Sequence, residues 1–296
     1  MERTLILDCK DKIGKEVTIC GWVHTRRDHG KILFLDVTDR SGMIQVVAVD
    51  GKTPNLNPQD VICITGKVNK RPEHLFNKNI PTGEIEISAE KIEVLSKAAE
   101  LPFDMGGKDL DLQLPTLFDF RSLTLRHPKV KAIFKVQAAL LEGFRKAAND
   151  LGCTEIVVPT IVAGATEGGA EVFKIDYFEH KAYLSQSPQL YKQMLVPVYE
   201  RVFTIAKAYR AESSVTTRHL TEATQMDVEI GFVEFADLLD FLEETAVKML
   251  KVTEERCGDI LSEFGIPKIN FGKIPRLTLR EAQDIILKES GRDNKK

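Results

Sequence analysis

No apolar run in these 296 residues approaches the ~20 needed to cross a bilayer, so a membrane-spanning helix is not expected. Met1 to Lys10 alternates charge with short apolar pieces and lacks the core of a signal peptide, which suits a cytoplasmic protein. The five cysteines, Cys9, Cys20, Cys63, Cys153 and Cys257, are scattered without a C-x-x-C pair. Neither a disulfide framework nor a zinc site is indicated, and reduced, mostly buried thiols are expected. Neither G-x-G-x-x-G nor the full P-loop pattern G-x-x-x-x-G-K-[ST] occurs, which argues against the glycine-rich routes to a nucleotide phosphate. There is no internal repeat and no low-complexity segment. Charge is nearly balanced, with 41 Lys and Arg against 44 Asp and Glu and a formal net charge of −3. That argues against a surface gripping nucleic acid everywhere, though not against a local patch. One exists at His24-Thr25-Arg26-Arg27-Asp28-His29-Gly30-Lys31, and Lys67, Lys70, Arg71 and Lys78 cluster further on.

The length suffices for two domains of ordinary size. From about 14 to 95 the pattern has period two: Val17, Ile19, Gly21 and Val23 alternate against polar neighbours. Ile32 to Val37, Met43 to Val49, Val61 to Val68 and Glu84 to Val94 follow, separated by turn residues. So many strands in so short a segment fit a small closed barrel such as the OB-fold better than a sandwich, with other small β-domains remaining open. Residues 98–127, with Pro102, Gly106-Gly107 and Pro115, read as a linker or hinge. A long amphipathic helix is predicted from near Pro128 to Leu151, ending at Gly152. Strands are predicted at Thr154–Val158, Arg201–Ala211 and Ala223–Phe232. A helix should run from about Ala236 to Arg256. A last one should open on a Thr278–Glu281 capping box and close at Gly291. Strands and helices mixed without strict alternation indicate an α+β domain with an antiparallel sheet.

Two places carry chemistry. An OB barrel binds single-stranded nucleic acid across its second and third strands, with rings stacking bases and cations meeting phosphate. Phe34 on the second strand, Gln45 on the third, and Arg26-Arg27 in the loop between strands one and two suit the reading of an unstacked RNA loop. A core role for Phe34 is the alternative. In the second domain, parity puts Phe203, Ile205, Lys207 and Tyr209 on one face and Thr204, Ala206, Ala208 and Arg210 on the other. Gln225, Asp227 and Glu229 oppose Met226, Val228, Ile230 and Phe232 in the same way. A polar face within a buried strand pair is costly unless a ligand or ion pairs use it. Arg210, Glu212, Arg218 and His219 form a candidate nucleotide clamp, since guanidinium forks suit phosphate oxygens. A solvated hairpin with ion pairs is the alternative.

Tyr209-Arg210-Ala211-Glu212, then Thr217-Arg218-His219-Leu220, Glu222 and Asp227-Val228-Glu229, resembles the second signature motif of class II aminoacyl-tRNA synthetases. Gly152-Cys153-Thr154-Glu155-Ile156-Val157-Val158-Pro159 is similar to the first, whose strand and proline build that class's homodimer interface. Gly21 to Gly30 looks like the anticodon-binding OB domain of the aspartyl, asparaginyl and lysyl subgroup. Ala165-Thr166-Glu167-Gly168-Gly169 and Gln186 to Gln193 look aspartyl-specific, of the archaeal-like branch. The resemblance implies an aspartate–tRNA ligase with ATP as substrate, Mg²⁺, L-aspartate and tRNA(Asp). Arg210 would hold the ATP α-phosphate and the substrate carboxylate. Ala211, Glu212, Arg218, His219 and Leu220 would line the ATP site. Glu167 would bind the amino acid's ammonium, and Gln189, Leu190, Tyr191 and Lys192 the aspartate pocket, with Lys192 on the β-carboxylate. In the barrel, Phe34 and Gln45 would read the middle anticodon base, helped by Arg26 and Arg27. His24 stands where relaxed members, which also charge tRNA(Asn), tend to carry His and strict archaeal ones Trp. With tRNA(Asn), a downstream amidotransferase would be required. A solvent-facing His24 with no such role is the alternative.

On this resemblance residues 1–97 are the anticodon-binding barrel and 128–296 a partial catalytic domain. The family's glycine-rich third motif and its Mg²⁺ ligands would fall beyond residue 296. A fragment, a split gene product or a degenerate paralogue is therefore expected, one that alone does not form aspartyl-adenylate at an appreciable rate. Two readings compete. One is a tRNA-binding protein that has lost catalysis. The other is an asparaginyl-tRNA synthetase, against which Lys192 argues because a neutral amide does not require an ammonium. A lysyl enzyme is disfavoured further, since its substrate would want carboxylates there.

Overall fold

The structure is a computed structural model that describes residues 2–49, 53–107, 109–165, 171–213, 219–270 and 272–291. It divides into two compact units, Met1–Val130 and Lys131–Lys296. Among the described residues no helix is long and apolar enough to cross a membrane.

The first unit is built on a closed barrel in the order β1-β2-β3-β5-β4. Its strands are β1 (Glu16–His29), β2 (Ile32–Thr38), β3 (Met43–Val49), β4 (Val61–Lys70) and β5 (Ile85–Ser96). β3 and β5 run parallel; every other pairing is antiparallel. This is the OB-fold arrangement, and closure leaves no free sheet edge. Alternation explains the core: Val17, Ile19, Val23, Leu33, Leu35, Val37, Ile44, Val46, Ile62, Ile64 and Ile87 all point inward and are no more than 2% exposed. Each such side chain contributes about 1.5–3 kcal/mol by leaving water. Ile6 and Cys9, on and beside a 3₁₀ turn over Leu7–Lys12, join the same core.

Three expectations for this unit are corrected. The Arg26-Arg27 pair is not in a loop, because β1 continues to His29 and pairs Arg26 with Leu35 and Arg27 with Phe34. Polar side chains on both faces hid the strand there. Cys20 and Cys63 are not separate thiols: they lie opposite each other on β1 and β4 and the structure joins them in a disulfide, leaving Cys9, Cys153 and Cys257 free and buried. The segment 98–127 is not bare linker, since it carries α1 (Leu114–Asp119) and α2 (Arg121–Thr124). It is also tied to the barrel at both ends. The fully buried Asp60 carboxylate accepts from Ala98 N (2.7 Å), Asn57 N (2.9 Å) and Lys97 Nζ (3.0 Å). Arg126 donates to Gln59 Oε1 at 3.1 Å, and His127 Nε2 lies 3.1 Å from the Gly107 carbonyl.

The second unit follows α3 (Pro128–Asp150) with β6 (Thr154–Glu155), β7 (Ile161–Val162), β8 (Lys174–Tyr177), β9 (His180–Leu184), α4 (Gln189–Tyr199), β10 (Arg201–Tyr209), β11 (Glu222–Ile230), α5 (Phe235–Glu263) and α6 (Leu279–Ser290). β10 and β11 pair antiparallel from Arg201↔Ile230 to Tyr209↔Glu222, and β6 adds in parallel at Val202 and Phe203. The predicted strand 154–158 is therefore shorter, with Val157 96% exposed. β7, β9 and β8 make a separate small sheet. The core gathers Phe144, Ala148, Cys153, Phe203 and Phe241, with Phe144 and Phe203 edge to face at 5.7 Å. Gly143 on α3 sits so near α5 that a Cβ there would meet the Met249 carbonyl at 2.7 Å. The Thr278–Glu281 capping box opens α6, and Gly291 follows it at φ 70.

Candidate functional site

On the barrel, the outward residues of β1, β2 and β3 form the first site. Phe34 is not core: Leu33 and Leu35 fill the interior while Phe34 is half-buried on the outer face. His29 meets it edge-on at 5.6 Å. A cleft of about 590 Å³ opens there, lined by Arg27, Phe34 and Gln45 together with His29, Ile32, Asp36, Met43, Arg71, Asn77 and Ile80. Gln45, only 9% exposed, donates from Nε2 to Glu86 Oε2 at 3.0 Å, which fixes the amide and leaves its carbonyl as an acceptor. Arg27 holds Asp36 at 3.0 Å, and Arg71 Nε lies 3.7 Å from Glu86. Among the described residues the buried Arg71 Nε has no hydrogen-bond partner. A ring, a fixed amide and two guanidiniums around one cleft can stack a base, read its edge and meet phosphate.

The structure thus brings Arg27, Phe34 and Gln45 together. Arg26 is set apart, since alternation turns it to the other face, where it pairs with Asp28 at 3.2 Å. His24 is the extra residue of a β-bulge between Val23 and Thr25 and is half-buried rather than solvent-facing. Burial lowers its imidazole below the ordinary 6.5; Asp36 pulls the other way, His127 adds to the lowering, and Asp104 opposes it. The balance favours the neutral ring. Arg71, Asn77 and Ile80 were not assigned to the site from sequence. Their only signal was the basic cluster 67–78, because the turn they occupy has no periodicity.

The second site lies on the polar face of β10 and β11. The register places Thr204 opposite Asp227, Ala206 opposite Gln225 and Val202 opposite Glu229, while Phe203, Ile205, Val228 and Ile230 face the core. Lys192 projects from α4 onto this face. It is 4% exposed, and its Nζ lies 3.2 Å from Asp227 Oδ1 and 3.4 Å from Glu229 Oε2. Among the described residues it donates to Asp227 and forms an ion pair with Glu229. Among the described residues, buried Asp227 Oδ2 and Gln225 Oε1 have no hydrogen-bond partner. Buried orphans of this kind cost about 1–3 kcal/mol each and mark a surface that gains by binding something polar.

Gln189, Leu190 and Tyr191 form the first turn of α4 beside Lys192. Ahead of it Ser185, Gln186 and Ser187 are buried; Gln186 and Ser187 open the stretch read as aspartyl-specific, and Ser185 was not singled out in sequence. Arg210 continues the alternation of Thr204, Ala206 and Ala208, so it leaves β10 on the face that Lys192 covers. Its neighbourhood is held by the backbone: Tyr209 N donates to Ser185 O (2.8 Å), Arg210 N to Thr221 O (3.0 Å) and Ala211 N to Glu171 O (2.9 Å). Glu212 is half-buried, and His219 and Leu220 are exposed. Glu167 and Arg218 lie outside the described residues. Among the described residues no group of three His, Cys, Asp or Glu side chains is placed to hold a metal ion.

Residues 113–296 match the family described as tRNA synthetases class II (D, K and N), and residues 17–95 match the OB-fold nucleic acid binding domain. The aspartate–tRNA(Asp/Asn) ligase of Thermus thermophilus is 40% identical over 98% of this chain and 67% of its own length. That of Methanocaldococcus jannaschii is 41% identical over 92% and 63%. Among solved structures, asparaginyl-tRNA synthetase from Pyrococcus horikoshii with asparaginyl-adenylate superposes with a TM-score of 0.87 at 30% identity, covering 98% of this chain and 68% of that one. Aspartyl tRNA synthetase from Entamoeba histolytica does so at 0.82 and 25%, covering 99% and 64%. The chain spans about two thirds of the length of these curated relatives, 67% and 63%.

Proposed function

The chain belongs to the class II tRNA synthetases (D, K and N), and on that footing we propose that it serves an aspartate–tRNA ligase, binding L-aspartate and ATP in its second unit and the tRNA(Asp) anticodon on its barrel. The observation that carries the reading is Lys192. Its ammonium is held between Asp227 and Glu229, on a face where, among the described residues, Asp227 Oδ2 and Gln225 Oε1 are buried without a hydrogen-bond partner. An acidic side chain completes that arrangement. Asparagine's neutral amide meets the same ammonium more weakly, because a hydrogen bond between two charged groups is stronger than one with a single charge.

In the reaction so proposed, the aspartate α-carboxylate attacks the α-phosphorus of ATP, pyrophosphate leaves, and the terminal ribose hydroxyl of tRNA then takes the aspartyl group. The protein's part is positioning and charge neutralisation. Arg210 meets the α-phosphate and the carboxylate, Lys192 fixes the β-carboxylate, and Gln189 to Tyr191 shape the pocket. Glu212, Arg218, His219 and Leu220 line the nucleotide, and Glu167 takes the ammonium. Mg²⁺ bound with the nucleotide would supply neutralisation of phosphate charge.

On the barrel, Phe34 stacks an anticodon base, Gln45 reads its edge, and Arg27 and Arg71 take phosphate. With His24 seated in a bulge of β1, and relatives named for both tRNA(Asp) and tRNA(Asn), the proposal extends to tRNA(Asn). That product then needs an amidotransferase. The exposed Val157 and Ile133 suit a second copy of the chain in a homodimer. The test is calorimetric titration of the chain with aspartate, asparagine and lysine. Aspartate should bind at least tenfold more tightly than the other two, and equal or tighter binding of asparagine would overturn the assignment.

A further inference from the structure

Cys20 and Cys63 belong to neither site, and they differ from the other cysteines in what governs thiol chemistry. Cys9, Cys153 and Cys257 are 0%, 6% and 5% exposed. Burial pushes the Cys9 thiol up to about 11 and raises that of Cys153. Since the thiolate is the nucleophile, these buried thiols are inert. Cys20 and Cys63 are half-buried on the outer face of the barrel, at directly opposed positions of β1 and β4 with Cα atoms 4.1 Å apart. Their register is fixed on both sides. Thr18 and Thr65 share a hydroxyl contact at 3.0 Å one step along the same face, and Trp22 opposes Val61 on the other side. The two thiols therefore meet whenever the barrel is folded. Their surroundings differ in charge: Arg3 sets its guanidinium on the Cys20 carbonyl at 3.1 Å, whereas Cys63 is paired across β5 with Glu93. A cation favours a thiolate and an anion opposes it.

We propose that Cys20 and Cys63 are a reversible oxidation site, a dithiol–disulfide couple across the β1–β4 seam that exchanges with small disulfides of the glutathione class. The Cys20 thiolate attacks one sulfur of the small disulfide, forming a mixed disulfide and releasing one small thiolate. Cys63 gives its proton to solvent, attacks the Cys20 sulfur and expels the second small thiolate. Two electrons pass from the cysteines to the small disulfide, and excess small thiol reverses every step. The bond spans a sequence separation of 43 residues. Between its ends lie β2 and β3, which carry Phe34 and Gln45, so oxidation ties together both ends of the segment that lines the cleft.

The test uses the native chain, equilibrated in glutathione buffers from fully reduced to fully oxidised, trapped by alkylation and mapped by peptide mass spectrometry. A Cys20–Cys63 linked peptide should appear as the buffer becomes oxidising and disappear on reversal, with Cys9, Cys153 and Cys257 alkylated only after denaturation. Stable glutathione adducts without the link, a different pairing, or a link formed only in denaturant would overturn the proposal. Among single variants, Cys63→Ser should load glutathione on Cys20 several-fold faster than Cys20→Ser loads Cys63; equal or reversed rates would remove Cys20 as the attacking thiol. Amide exchange in β1 and β4 should slow at least tenfold on oxidation, and no change would remove the seam's role.

Discussion

Replacing Lys192 with Met removes a charge and leaves the two carboxylates it separates. Breaking a buried ion pair from one side costs about 3–5 kcal/mol. Here the Asp227 and Glu229 side chains keep 24% and 28% exposure, so water partly screens them. That screening brings the cost below the range, to about 2–3 kcal/mol, or roughly thirty- to a hundred-and-fiftyfold in the unfolding equilibrium. The loss should be confined to the second unit. The single tryptophan, Trp22, sits on β1, so its fluorescence follows the barrel, while amide exchange in β10 and α4 follows the second unit. Lys192→Met should increase exchange in β10 and α4 by that factor and leave the urea midpoint of Trp22 fluorescence where it was. Adding Asp227→Asn should recover at least half the loss, because the repulsion it relieves is what Lys192 had neutralised. A loss below about 0.5 kcal/mol would refute the view that this lysine is held in a desolvated charge cluster.

Three further outcomes follow from the geometry. Phe34→Ala should weaken binding of an anticodon-loop RNA by about 1–3 kcal/mol at fixed salt, read by fluorescence anisotropy, with the barrel's circular dichroism unchanged. Burial opposes ionisation of Asp60, but hydrogen bonds from Ala98, Asn57 and Lys97 outweigh it and hold the carboxyl below its ordinary 3.8. A depressed carboxyl gives stability that is fully present above the unfolded value and lost as pH falls through the folded one. Urea midpoints should therefore drop below about pH 4 in the native chain and lose that part of their acid dependence in Asp60→Asn. Gly143→Ala sets a methyl against the Met249 carbonyl and should destabilise the α3–α5 contact by about 1–3 kcal/mol, seen as faster amide exchange in both helices.

The barrel was legible because its strands alternate cleanly between a buried and a wet side, and that period survives in sequence. The pattern failed at residues 24–29, where a bulge and cations on both faces erased the alternation while the pairing continued. In the second unit α3, β10, β11, α5 and α6 carried enough periodicity or capping to be read. The short strands β7, β8 and β9 offer too few residues for any period, and α4 was obscured by Pro188 at its cap and Pro197 within it. Parity correctly predicted the polar face of β10 and β11. It did not show that Lys192 already has two carboxylate partners there, because nothing local in the sequence links α4 to β11 across 35 residues. The disulfide was equally invisible: Cys20 and Cys63 have no telling spacing, and only strand register brings them together.

β5 meets β4 through an extended antiparallel register and β3 through a parallel one of three pairs, Gln45↔Glu86, Val46↔Ile87 and Val47↔Ser88. During synthesis the first three strands emerge as a meander whose outer edge stays bare until the fifth arrives. Closure must therefore wait for distant chain, and the step that completes the ring is slow for reasons of topology rather than stability. Until then the edge that β5 will cover is the part of this domain most in need of a chaperone's protection.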